Sequence, residues 1–132
     1  MAKPIALVIE DDPMLVDIYQ MMLQQIGFDT LHDKNGNEFM GMVSTIQPSL
    51  IVLDLHMPYA SSPDMLRQIR DDPRLSKVPI IVTTADIIRA KSLEGQVGAV
   101  LIKPVSFARL RDTALRLCPL EPDNYLKNPL NP

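Results

Sequence analysis

The sequence is poor in residues that form covalent or soft-metal cross-links. It has one cysteine, Cys118, and two histidines among 132 residues. One cysteine excludes an internal disulfide, and with only two histidines no soft-metal cluster of the usual spacing can form. We therefore expect a protein of a reducing compartment.

Long apolar runs and an excess of basic charge are also missing. No window approaches the roughly 20 apolar residues of a membrane span, and the first residues, MAKPIALVIEDD, contain too short an apolar stretch for a signal peptide. The formal net charge is −3, and the 13 Lys and Arg residues are scattered without a basic stripe. We expect a cytoplasmic protein with no membrane and no direct nucleic-acid partner.

The apolar content is sufficient for one globular core. Hydrophobic residues make up 46% of the chain, and a chain of this length buries roughly two thirds of its unfolded surface. We predict one domain over residues 1–117. Residues 118–132, CPLEPDNYLKNPLNP, contain four prolines and cannot form a helix. This tail is interpreted as a loose arm or linker; the alternative is a docking segment that uses Leu120, Tyr125, Leu126 and Leu130.

Short apolar runs alternate with helical patterns along the chain. The runs cover residues 5–9, 50–53, 79–83 and 100–102, with a weaker one at 28–32. Because parallel neighbouring strands require crossover connections, this alternation predicts an α/β fold with a parallel sheet and helices on both faces. The alternative is a strand–helix repeat taken from a larger fold.

Five helices are predicted between and after these runs. The first begins with Asp12 as cap and Pro13 as first helical residue, and it ends at Gly27. The second contains Phe39, Val43 and Ile46, the third opens at Ser62-Pro63, the fourth covers 86–96, and the fifth follows the cap Ser106.

Polar side chains end four of the five runs. They are Glu10, Asp11 and Asp12 after the first run, Asp54 after the third, Thr83 and Thr84 at the fourth, and Lys103 after the fifth. Each has an ordinary explanation alone, such as a helix cap, a β-forming residue or a solvated charge. Ligands bind at the carboxyl ends of parallel strands, and carboxylates gathered there repel one another unless a cation is bound. The pattern predicts Mg²⁺ and phosphate chemistry with a carboxylate nucleophile.

Four sequence blocks carry a family resemblance. ALVIEDDP, LIVLDLHMP, VPIIVTTA and LIKPVS resemble, in this order, the receiver domains of two-component response regulators. The resemblance runs from about Ile5 to Leu117. It implies a flavodoxin-like (βα)5 doubly wound sandwich, with a five-stranded parallel sheet in the order 2-1-3-4-5.

The same resemblance implies roles for particular residues. Asp54 would be the phosphoacceptor, with Thr84 and Lys103 contacting the phosphoryl group. Mg²⁺ would be held by Asp11 directly, by Glu10 mainly through water, by Asp54, and by the backbone carbonyl of His56. The domain would catalyse only its own phosphorylation and dephosphorylation, would receive phosphate from a histidine kinase or phosphotransfer protein, and would act on a downstream protein; a homodimer is left open.

The chain departs from the family pattern at three places. Val100 stands where most receivers have a Tyr or Phe that acts with the residue at Thr84 as a switch. The interval from Thr84 to Lys103 is shorter than usual, and Ser62 replaces a common glycine, which predicts a stiffer loop. The route of output through the fourth helix, fifth strand and fifth helix is therefore not predicted.

His56 and Asp86 lie two residues after Asp54 and Thr84. We hypothesise that both modulate the lifetime of the aspartyl phosphate by flanking the attacking water, since histidine commonly changes charge near neutral pH. The alternative is that both side chains simply face solvent. Two other functions stay open: a receiver-like interaction module independent of phosphorylation, and an aspartyl-nucleophile phosphatase, which would usually carry an acid where His56 stands.

Overall fold

The computed structural model describes residues 3–57 and 61–120. The ten elements are β1 (Ile5–Ile9), α1 (Pro13–Gln25), β2 (Asp29–Asp33), α2 (Phe39–Met42), β3 (Leu50–Asp54), α3 (Ser62–Asp71), β4 (Ile80–Thr84), α4 (Ile87–Leu93), β5 (Ala99–Ile102) and α5 (Phe107–Leu117). All strand pairs are parallel, and the sheet order is β2-β1-β3-β4-β5. The predicted flavodoxin-like α/β fold is confirmed.

The sheet separates two apolar clusters. The first contains Ile51, Leu53 and Val82 with residues of α2 and α3, and Leu93 of α4 packs against it. The second contains Val52 and Ile81 with residues of α1 and α5. Because successive side chains of a strand point to opposite faces, the central strands are apolar on both sides. α1 and α5 therefore cover one face, and α2, α3 and α4 cover the other.

Helix α1 begins and ends as the sequence predicts. Asp12 Oδ1 accepts hydrogen bonds from Met14 N at 2.9 Å and Leu15 N at 3.4 Å, and Pro13 is the first helical residue. At the other end Gly27 has a φ of 113°, and the amide of Phe28 donates to Leu23 O at 3.0 Å. This is a Schellman ending, which satisfies carbonyls of the last turn.

That ending explains why β2 begins one residue later than predicted. The amide of Phe28 is used by the end of α1, and its side chain is buried in the cluster beneath α1. The strand therefore covers Asp29–Asp33 instead of residues 28–32. The shift places an aspartate, Asp33, at the carboxyl end of β2, so that all five strands have a polar residue at or just after this end.

Two helix boundaries also differ from the sequence expectations, and one is confirmed. Regular helix α2 ends at Met42, because Gly41 has low helix propensity and Ser44 Oγ donates to the Gly41 carbonyl at 2.6 Å. Helix α3 begins at Ser62 as predicted, and Ser61 caps it, since Ser61 Oγ accepts from Asp64 N. Helix α4 ends at Leu93, just before Gly95 with a φ of 83°.

The carboxylate of Asp33 organises the loop between β2 and α2. Oδ1 accepts from Asn35 N at 3.0 Å and Gly36 N at 2.9 Å, while Oδ2 accepts from Glu38 N and Phe39 N, both at 2.7 Å. The side chain is buried. Asp33 therefore has a structural role that sequence reasoning missed, although it directly follows the predicted run at residues 28–32 as Asp54 follows the run at 50–53.

We expect Asp33→Asn to lower the free energy of unfolding by about 2 kcal/mol. The amide group would face two backbone N–H groups where the carboxylate now accepts, so roughly two hydrogen bonds of ~1 kcal/mol each are lost. Urea unfolding measures the effect. Asp29→Asn, at an exposed residue of the same strand, is the control, and equal midpoints for the two variants would contradict the assignment.

At the C-terminal side, Leu120 packs against the cluster beneath α1 and α5. Three other residues of the alternative docking segment, Tyr125, Leu126 and Leu130, lie outside the described residues.

Within the described ranges, no helix is long and apolar enough to cross a bilayer.

Candidate functional site

The predicted site residues converge at the carboxyl edge of the sheet. Glu10 follows β1, Asp54 ends β3, Thr84 ends β4 and Lys103 follows β5. The order of the strands reverses between β1 and β3, since β1 pairs with both β2 and β3. Ligand sites of open parallel sheets form at such a reversal.

Lys103 joins two deeply buried acids of this edge. Its Nζ lies 3.1 Å from Glu10 Oε1 and 3.2 Å from Asp54 Oδ1. Glu10 is 1% exposed and Asp54 is 2% exposed. Burial of two carboxylates is unfavourable unless they are paired, so the ammonium group is required for their close approach.

Glu10 is also held by the backbone, and its proton affinity is unusual. Oε2 accepts from Asp11 N at 3.1 Å and Asp12 N at 3.3 Å. Burial, with a hydrogen bond and charge repulsion from Asp54, raises the pKa of Glu10 to about 7. For Lys103, burial alone lowers the pKa, but the negative charges of Asp54 and Glu10 outweigh it and the pKa is raised. The ammonium therefore stays charged while Glu10 binds protons near neutral pH.

Three acids can hold a cation together. Glu10, Asp11 and Asp54 each offer a carboxylate oxygen within 4.8 Å of the others. Asp11 is only half-buried and forms the open side of the cluster. Hard oxygen donors of this kind suit Mg²⁺, which usually keeps several waters and takes one or two carboxylates from the protein. The donor set therefore fits the predicted metal.

His56 contacts the cluster through its backbone. Its amide donates to Asp54 Oδ1 at 3.1 Å, whereas its side chain is exposed. Asp54 Oδ1 thus accepts from both Lys103 and the His56 amide, which fixes the orientation of the carboxylate. The role of the imidazole in phosphate lifetime stays a prediction.

Thr84 and Asp86 connect the site to α4. The buried Thr84 Oγ1 accepts from Asp86 N at 3.0 Å, and Asp86 Oδ1 accepts from Ile88 N at 3.0 Å and Arg89 N at 3.1 Å. Asp86 is therefore the cap of α4, a role that the sequence reasoning did not assign to it. Its proposed effect on water stays untested.

Two of the three departures from the family pattern, at Ser62 and Val100, can be located in the structure. Ser62 is buried, and its Oγ donates to the Leu55 carbonyl at 2.5 Å and lies 3.3 Å from the Asp54 carbonyl. This hydroxyl ties the start of α3 to the end of β3; residues 58–60 of the connecting loop lie outside the described ranges. Val100 is partly buried and packs against the cluster beneath α2, α3 and α4.

Sequence reasoning also missed two hydroxyl groups beneath the site. From the sequence no functional role was assigned to Tyr19, and Thr83 was noted only among the polar residues at the end of the fourth run. Both hydroxyls are buried and lie close to each other, but among the described residues neither forms a hydrogen bond of good geometry. A polar atom on an otherwise apolar helix face, and a second threonine beside Thr84, were the available signals.

The fold and this edge define a class of signalling domain, and comparisons with known proteins identify it. The model of the response regulator receiver domain family matches residues 6–115. The chain belongs to that family, whose members are regulatory domains of two-component signalling and interact with histidine kinases and downstream targets. Domains of this family typically bind Mg²⁺.

Individual relatives agree with the family assignment. The polar-differentiation response regulator DivK of Brucella anthropi is 24% identical over 110 residues, which cover 81% of this chain and 89% of that protein. The chemotaxis response regulator CheY4 of Vibrio cholerae superposes with a TM-score of 0.79 at 20% identity, over 88% of this chain and 99% of that one. The receiver domain of a signal transduction histidine kinase from Syntrophus aciditrophicus superposes with a TM-score of 0.77 at 27% identity, over 92% of this chain and 96% of that one.

Proposed function

We propose that this chain accepts a phosphoryl group on Asp54 in a Mg²⁺-dependent reaction and that the modification changes its binding to a protein target. The donor is a phosphohistidine of a histidine kinase or phosphotransfer protein. The single observation that carries the proposal is the cluster in which Lys103 bridges Asp54 and Glu10, with Asp11 completing a set of cation ligands. We further propose that residues 1–117 form the phosphoacceptor unit.

The chemistry follows from the positions of the charges. An oxygen of Asp54 attacks phosphorus, the bond between phosphorus and the donor nitrogen breaks, and the nitrogen keeps the electron pair. Asp11, Asp54, Glu10 and the backbone carbonyl of His56 would hold Mg²⁺, which would supply neutralising charge for the transferring group. Lys103 supplies the second positive charge, and Thr84 a hydroxyl donor.

Output is proposed to begin at Thr84. Its hydroxyl is now bound to the Asp86 amide, next to the cap of α4. If Thr84 turns its hydroxyl toward the phosphoryl group, this link changes and the first turn of α4 is free to shift. That turn presents Ile87 and Ile88, which are 58% and 81% exposed. Partner binding would therefore change at α4 although Val100 provides no aromatic ring.

Intact-mass measurement with acetyl phosphate tests the function. With Mg²⁺, the chain should gain the mass of one phosphoryl group, located on Asp54 by peptide mapping, and EDTA should prevent the gain. No adduct in Mg²⁺, or an adduct elsewhere, would overturn the proposal. Continuous turnover of free phosphoesters without an adduct would instead favour an aspartyl-nucleophile phosphatase.

We expect His56→Met to change the lifetime of the aspartyl phosphate by about threefold to tenfold between pH 6 and 8, less than the roughly 10²–10⁴-fold of a fully engaged general acid or base, because the side chain is exposed. The reason is that the exposed imidazole lies two residues from the phosphoacceptor. Decay of the adduct after removal of acetyl phosphate measures the lifetime. His32→Met, at the other exposed histidine, is the matched control. A pH profile that stays that of the unsubstituted protein would remove the role.

A further inference from the structure

Two buried hydroxyl groups below the site lie close to each other but lack a well-formed hydrogen bond. Tyr19 is 1% exposed and Thr83 is 0% exposed, and among the described residues Tyr19 Oη and Thr83 Oγ1 are the buried side-chain oxygens without a hydrogen bond. Leaving a buried polar group unsatisfied is unfavourable for folding. Phenylalanine and valine would fill the same volumes without that penalty. We therefore expect both hydroxyls to form hydrogen bonds in another state of the protein.

Strand alternation places both groups directly beneath the charged cluster. Thr83 is the register partner of Asp54, and it lies two residues after Ile81, a member of the cluster beneath α1 and α5. Glu10, Asp54 and Lys103 follow Val8, Val52 and Leu101 of that cluster by the same interval. They continue one face of the sheet, because residues two apart on a strand share a face. Tyr19 belongs to the same cluster and comes from α1 above it.

The electrostatic surroundings of Tyr19 agree with this placement. Burial raises the pKa of Tyr19, the positive charge of Lys103 opposes that effect, and Glu10 and Asp54 raise the pKa further, while the Thr83 hydroxyl lowers it. The phenol therefore interacts with Lys103, Glu10, Asp54 and Thr83, and it stays protonated at neutral pH. It offers one O–H donor and an oxygen that accepts.

The ammonium of Lys103 has an unused donor in this arrangement. An ammonium carries three N–H donors, and the carboxylates of Glu10 and Asp54 take two. Phosphorylation of Asp54 turns one of its oxygens into the bridging oxygen of an acyl phosphate and removes charge from the carboxyl group. A phosphoryl oxygen then replaces the carboxylate oxygen as acceptor for Lys103, while the third N–H of the ammonium still lacks one; an acceptor for that N–H would hold the ammonium toward the phosphoryl group.

We propose that Tyr19 and Thr83 are positioning residues that hold Lys103 toward the phosphoryl group. The Tyr19 oxygen accepts the third N–H of Lys103, and the Thr83 hydroxyl fixes the phenol by hydrogen bonding to it. This role rests on the proposed phosphorylation of Asp54. It gives helix α1 a polar contact with Lys103, which an entirely apolar helix face could not provide.

Initial rates of phosphorylation by acetyl phosphate in Mg²⁺ test the role. Tyr19→Phe should lower the rate about fivefold to tenfold, the range expected from loss of one charge-assisted hydrogen bond, and Thr83→Val should lower it in the same direction. Thr113→Val is the matched control, since Thr113 is a buried threonine of α5 away from the strand ends, and its rate should be unchanged. The melting temperature of Tyr19→Phe should stay equal or rise, because the lost hydroxyl makes no well-formed hydrogen bond in the unmodified protein.

A second background separates positioning from general damage. In Lys103→Arg, whose side chain directs its donors differently, Tyr19→Phe should change the residual rate less than twofold. The same fold-loss in both backgrounds, an unchanged rate of Tyr19→Phe in the natural background, or a marked fall of its melting temperature would each overturn the role. If the unsubstituted chain itself forms no adduct, the proposed function fails and this role fails with it; an adduct in the unsubstituted chain with no effect of Tyr19→Phe overturns this role alone.

Discussion

Asp54→Asn should abolish phosphorylation and at the same time stabilise the metal-free protein above neutral pH. The first effect follows from the loss of the nucleophile, since an amide oxygen does not form a stable acyl phosphate. The second follows from the site itself: Asp54 and Glu10 are both buried, and one ammonium cannot neutralise two carboxylates and Asp11. With asparagine at residue 54, Lys103 and Glu10 remain as a balanced pair.

The stabilisation should be about 1–2 kcal/mol in urea unfolding at pH 8 with EDTA, the size of a shift of about one unit in the pKa of one neighbouring acid. Intact mass after acetyl phosphate reports the first effect. Asp71→Asn, at an exposed acid at the end of α3, is the control and should change neither quantity. An adduct on the Asp54 variant, or a loss of stability in it, would contradict the structural account of the cluster.

The free energy of unfolding of the metal-free protein should fall as the pH rises from about 5 to 8. Glu10 has its pKa raised from 4.5 to about 7 in the folded chain, so the folded state keeps a proton that the unfolded state releases. The stabilisation from this proton is complete below the unfolded pKa and is lost as the pH passes through the folded one. The expected loss is on the order of 3 kcal/mol.

Magnesium should reverse that trend. A cation among Glu10, Asp11 and Asp54 replaces the proton and favours the ionised acids, so added Mg²⁺ should stabilise the chain more at pH 8 than at pH 5.5. Urea unfolding at several pH values, with EDTA or with Mg²⁺, measures both effects. Glu10→Gln should remove most of the slope in EDTA. A flat profile of the natural chain in EDTA would show that Glu10 is ionised without help from metal.

Local sequence signals were sufficient for most helix and strand elements. Asp12, Pro13 and Gly27 mark the ends of α1 because caps and left-handed glycines act within a few residues. The central strands were recognised because burial on both faces demands unbroken apolar runs. Where a local competition decided the outcome, the prediction was displaced: Phe28 was taken by the end of α1, and Gly41 with Ser44 shortened α2.

The candidate site divides in a similar way. Glu10, Asp11, Asp54, Thr84 and Lys103 were identified from strand ends and from the family resemblance, and the match over residues 6–115 confirms the family. Their individual roles stay predictions. Asp33 directly follows the weakest of the five predicted runs and escaped notice, although the rule that found Asp54 applies to it equally.

The sequence by itself determined the alternation of strands and helices, the caps of α1 and α5, and the presence of acids, hydroxyls and a lysine at strand ends, because these depend on neighbours a few positions away. Only the tertiary structure decided which acid shares the ammonium and which hydroxyls remain unpaired beneath it. Lys103 and Glu10 are 93 positions apart, and their contact exists because β1, β3, β4 and β5 lie side by side. Burial then sets the electrostatics, since a carboxylate binds protons near neutral pH only when the packed chain removes its water and places a second carboxylate beside it.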